Sequence, residues 1–164
     1  MTSSTSNPQV EEIQRQLRSS YGELQRFIDG PLSSIDPHRL YRSPGGEEWT
    51  VMENLAHIVE FLPFWGDEVA KLVAQPGCNF GRTMDHEGRL NAISDHGGDS
   101  LEQVKALLPG SYAHLEHILG SLQDRDLELI GHHTKFGDRK LGWFIHEFIT
   151  QHLANHVEQL KACL

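Results

Sequence analysis

The chain has 164 residues, 38% of them hydrophobic, which is enough for one domain spanning 1–164 with one sizeable core. Fourteen Lys and Arg against 23 Asp and Glu give a formal net charge of −9, which argues against a nucleic-acid partner and against binding to an anionic membrane surface. The unusual count is 11 histidines, scattered from His38 to His156, so the first question is which of them converge.

Helix one opens at Asn7-Pro8, a cap followed by proline at the first helical position. Val10, Ile13, Leu17, Tyr21, Leu24 and Ile28 follow at helical spacing, and Gly30-Pro31 is the expected stop. The polar residues before it carry no apolar core, so 1–6 reads as a disordered tail and not as a signal peptide. A loop rich in Ser, Pro and Gly leads to Trp49. Helix two opens on the capping box Thr50-Val51-Met52-Glu53 and carries Val51, Leu55, Ile58, Leu62, Trp65, Val69 and Leu72 as one stripe. Pro63 predicts a kink, and Pro76-Gly77 the end.

Residues 77–99 form a long loop, with a short helix allowed over Asp85–Ile93. Helix three opens on a second capping box, Ser100 to Gln103, and stays in phase across Pro109-Gly110, which predicts one helix. A second long loop runs from Gln123 to Lys140. Helix four covers about Leu141–Ala162, its stripe built by Leu141, Ile145, Phe148, Ile149, Val157 and Leu160. No strand-like alternation is present, and no apolar run approaches the roughly 20 residues of a membrane span. The pattern predicts an all-α fold, a four-helix bundle with long loops between helices two and three and between three and four. Two cysteines, Cys78 and Cys163, are too few for a disulfide framework, and a reducing, cytoplasmic setting is expected.

Phase sorts the histidines. His152 and His156 are four apart, in the middle of the helix-four stripe, so both rings stand on one face at the spacing that holds a metal ion. Burying two imidazoles in a core stripe is costly unless partners repay it. His57 sits on a flank of helix two with Asn54, Phe61 and Phe64, and spacing alone does not connect it to helix four. His114 and His117 fall on the polar face of helix three. His146 points away from the pair, and neither His146-Glu147 nor His152–His156 forms a zinc-protease motif. His38, His86, His96, His132 and His133 lie in loops, with a solvent-facing position expected.

The segments Trp49-Thr50-Val51-Met52-Glu53-Asn54-Leu55-Ala56-His57 and Gln151-His152-Leu153-Ala154-Asn155-His156-Val157-Glu158-Gln159-Leu160 resemble the DinB-like, or YfiT-like, family of metal-dependent four-helix bundles. Gly81-Arg82 and Gly137 also resemble loops of one branch. The resemblance implies one divalent metal ion, nickel or zinc, held by His57, His152 and His156. It also implies a small-molecule substrate, with a low-molecular-weight thiol used by some members, and a homodimer is compatible with it. Three neutral imidazoles leave coordination positions open and keep the ion's full charge, as hydrolysis or thiol S-transfer requires. Glu60, one turn from His57, and Glu158, next after His156 but one, are the carboxylate candidates for proton transfer, although both also suit ordinary surface positions. Arg82 suits an anionic substrate group or, more simply, the surface. The alternative is a non-enzymatic binding or stress-response bundle in which the metal is structural or absent.

Overall fold

The computed structural model describes residues 6–43, 45, 48–82 and 87–164. Most of the expected tail, and His86, lie outside these residues. Helix α1 runs Pro8–Phe27 and turns Val10, Leu17, Tyr21, Leu24 and Phe27 inward. Gly30-Pro31 does not stop it. A π-helical turn, Ile28–Leu32, takes both residues in and buries Ile28 and Leu32, because a wider turn accommodates the missing proline N–H.

Helix α2, Val51–Ala74, is the central element, apolar around most of its circumference. Its capping box forms as expected: Glu53 N donates to Thr50 Oγ1 at 3.0 Å, and Thr50 N donates to Glu53 Oε1 at 3.1 Å. Pro63 lies inside α2 without ending it. Helix α3, Glu87–His96, occupies the first long loop. Helix α4, Leu101–Gly120, is one helix through Pro109 and opens on the Ser100–Gln103 capping box.

The second loop corrects the expectation of no strands. Ile130–His133 (β1) and Gly137–Lys140 (β2) pair antiparallel, with Ile130 opposite Lys140. Four-residue strands containing glycine and two histidines show no readable alternation, so long-range packing decides their conformation. A Cβ at Gly131 would lie 2.1 Å from Leu72 Cδ1, so only glycine lets β1 lie this close to α2. The segment after α2 is zipped to the same strand: Gly77 N donates to Ile130 O, His132 N to Cys78 O and Phe80 N to His132 O.

The last helical segment consists of α5, Leu141–Ile145, a π-helical turn over His146–Thr150, and α6, Gln151–Ala162. Leu141, Ile145, Ile149, Leu153 and Val157 are all buried at strict intervals of four. On an α-helix such a row drifts by about 40° per step, from about 100° per residue. The π turn holds more residues per turn and keeps the row on the core. Helix α2 packs against α4 and α6, and α1 packs against the same two, which closes the four-helix bundle. Among the described residues no helix is long and apolar enough to cross a membrane.

Candidate metal centre

Helices α2 and α6 bring His57, His152 and His156 together, with one ring nitrogen from each lying within 4.8 Å of the others. His57 is 3% and His156 8% exposed, and His152 is half-buried. His57 Nε2 and His152 Nε2 are 3.3 Å apart. Two nitrogens of a tetrahedral zinc centre with bonds of about 2.0–2.1 Å stand about 3.3–3.4 Å apart, so this pair fits one shared ion. Trp49 packs edge-on to His57 and stacks towards His156, while Phe61 closes the other side against all three rings.

Asn54 sets the orientation of His156. Its Nδ2 donates to Thr50 O at 3.1 Å, which leaves Oδ1 to face His156 Nδ1 at 3.2 Å. His156 Nδ1 therefore carries the proton, and the Nε2 lone pair is left for a ligand. His57 Nδ1 is buried without a partner among the described residues. Burial pushes the His57 imidazole down to about 2, with further lowering by His156, His152, Arg89 and Arg82. Burial likewise takes His152 to about 3, helped by His156 and the two arginines, and His156 to about 4, helped by Arg89. The three rings are thus neutral near pH 7, the protonation state in which imidazole ligates a metal. The donor set and its spacing fit a divalent ion.

A cavity of about 670 Å³ opens on the three rings and is lined also by Trp49, Trp65, Arg82, Arg89, Phe148 and Cys163. Glu60 accepts two hydrogen bonds from Arg82, and Glu158 is exposed and pairs with Lys161. Arg82 is not a surface residue: its side chain is 4% exposed and its guanidinium sits 3.8 Å above the Phe64 ring. His114, His132 and His96 are exposed and pair with Asp67, Asp138 and Asp99. His38, His117 and His146 are exposed as well.

His133 corrects the expectation for loop histidines. It is 4% exposed, stacks on Phe148 and accepts the backbone N–H groups of Lys135 and Phe136 on Nδ1. Its pKa is lowered by burial first, then by Lys135 and His132. Sequence reasoning missed the roles of Asn54, Arg89 and His133. Asn54 alone carried a signal, since it stands one turn before His57 on the same flank.

No curated protein matches the chain. Solved structures do. YfiT from Bacillus subtilis, described as a probable metal-dependent hydrolase with an unusual four-helix bundle topology, is 13% identical with a TM-score of 0.70, over 99% of this chain and 91% of that one. The mycothiol-dependent maleylpyruvate isomerase is 13% identical with a TM-score of 0.63, over 92% of this chain and 57% of that one. The colibactin self-resistance protein ClbS, solved in complex with a dsDNA, is 16% identical with a TM-score of 0.60, over 93% and 94% of the two chains. That complex corrects the exclusion of nucleic acid drawn from a net charge of −9, because this fold does meet DNA in ClbS. Net charge is a sum over the molecule, whereas a nucleic acid reads the local field of one face. The sequence profile of the DinB superfamily matches residues 16–160, most of the chain, and this chain belongs to that superfamily.

Proposed function

We propose that the chain holds one divalent metal ion, nickel or zinc, on His57, His152 and His156, and that it is a metal-dependent enzyme acting on a small molecule by hydrolysis or thiol S-transfer. The observation that carries this reading is the convergence of three neutral imidazoles at the head of an open cavity. The description of YfiT as a probable metal-dependent hydrolase supports hydrolysis, and that of the mycothiol-dependent isomerase supports the use of a thiol.

A divalent ion supplies Lewis acidity there, which lowers the pKa of water or of a thiol. The chain's own residues position and shield. Asn54 holds the His156 ring, and Trp49 and Phe61 wall the three imidazoles. Glu60 is engaged by Arg82, so its first role is to fix that arginine.

Mass spectrometry of the purified protein is expected to find about one ion per chain, and His152→Ala to remove it. Unchanged metal content in His152→Ala would refute the ligand set. An open coordination position separates an enzyme from a structural metal site. In the cobalt-substituted protein, 2-mercaptoethanol should shift the visible spectrum, and an unmoved spectrum would favour the structural role.

A further inference from the structure

A second cavity, of about 340 Å³, lies where α2, α3 and α4 meet, and none of the three histidines lines it. Its volume falls at the lower end of small-molecule sites, at roughly 300–1,000 Å³. Helical spacing builds its walls. Ala56, Val59 and Glu60 stand on one flank of α2, and Ala92, Asp95 and His96 stand on one flank of α3. Alanine on both helices leaves the slot open, since a longer side chain at either place would occupy it. Val104 and Leu107 of α4 complete the apolar floor. Val104 is 2% exposed, whereas Leu107 keeps 47% of its surface in solvent.

The rim is acidic. Glu60, Asp95 and Asp99 line the slot with His96, and no Lys or Arg does so among the described residues. Glu60 accepts both hydrogen bonds from Arg82, so Asp95 and Asp99 set the sign of the slot. Among the described residues Asp95 has no partner for its carboxylate. The Asp99 side chain is 17% exposed and meets His96 Nδ1 at 2.9 Å. A carboxylate offers about four acceptor positions, so Asp99 can take a further donor. Lys105, beside Val104 in the chain, is turned away to Asp29 and Glu102. An acidic rim above an apolar floor matches a molecule with a cationic head and an apolar body, because each end then meets its own kind of surface.

We propose that this slot binds a small primary amine in its ammonium form, with the charge at Asp95 and Asp99 and the apolar body on Val59, Ala92 and Leu107. The site is separate from the metal reading, since none of its residues is among the three histidines.

Benzylammonium is the probe and benzyl alcohol its neutral counterpart, titrated near neutral pH into zinc-loaded and metal-stripped full-length protein. Backbone amide NMR shifts give both affinity and location. Benzylammonium is expected to bind the two forms equally, to move amides of α3 and of the first half of α4, and to bind about fivefold more tightly than benzyl alcohol. Asp95→Asn should weaken benzylammonium about two- to fivefold and leave benzyl alcohol unchanged. Ala92→Leu, which fills the slot with a good helix former, should abolish binding of both. Asp95→Asn changes an exposed side chain, so it keeps the test decisive should Ala92→Leu disturb α3. No binding, equal binding of the two probes, binding that needs zinc, shifts confined to the histidine cavity, or indifference to Asp95→Asn would each overturn the proposal.

Discussion

Asn54 is the residue on which the geometry of His156 depends, because its amide is itself anchored on Thr50 O and has only one way to face the ring. Removing the acceptor frees the imidazole to rotate and to exchange tautomers. Asn54→Ala is therefore expected to weaken zinc binding by about 10- to 100-fold, measured by competition with a chromophoric chelator. Asn54→Asp, which keeps an acceptor at that place, should retain most of the affinity. Equal affinities in the two variants would remove the positioning role. His152 and His156 were legible from the chain because polar rings at i and i+4 in a buried stripe are conspicuous. His57 came only through family resemblance, since no local pattern records which helix its flank meets. His133 was illegible for a related reason: its burial depends on Phe148, fifteen residues on, and on Gly81, far before it.

The segment Gly77–Arg82 carries the cationic wall of the cavity and hangs on β1 through backbone hydrogen bonds. Gly81 sits there at φ +90°, and a Cβ on it would lie 2.9 Å from His133 Cδ2 and 3.3 Å from the Trp65 ring. Its N–H also donates to Glu68 Oε1 at 2.7 Å. Gly81→Ala is expected to destabilise the fold by more than about 1 kcal/mol, read by urea unfolding, since both backbone strain and a clash oppose it. The same variant should weaken the Arg82–Glu60 pair while leaving the histidine ligands on α2 and α6 intact, so metal content is expected to persist. Helices were the readable elements, because their apolar period is local and their capping boxes mark the starts. The π turns were not. Both wide turns answer to packing by distant helices, which keeps Ile28, Leu32 and Ile149 buried across positions where a local stop or drift was expected.

At the scale of the whole molecule, the buried histidines tie stability to acidity. In the metal-free protein His57, His152 and His156 are held at about 2, 3 and 4 against an ordinary 6.5, and His133 is lowered in the same direction. Below pH 6.5 the unfolded chain therefore binds more protons than the folded one, so stability falls as pH falls from about 6.5 towards 4. It is fully present above 6.5. The thermal midpoint of metal-stripped protein should drop between pH 7.5 and pH 5, and His152→Phe should flatten that dependence. A midpoint that rises in acid would contradict the neutral state of the three rings. The bundle itself was legible at this scale from four apolar stripes, but the partner class was not, because a charge sum carries no map of where charges stand.

The cavity joins elements that are held in place to very different degrees. Its histidines stand on α2 and α6, which share the core, whereas α3 has no buried side chain among those described yet contributes Arg89. Little apolar surface opposes the detachment of α3, so it belongs to the low-cost end of sub-global opening. Amide hydrogens of α3 should exchange orders of magnitude faster than those in the middle of α2. Traffic through the cavity can then run by breathing of this one short helix, on a timescale separate from that of global unfolding, while the three imidazoles stay assembled.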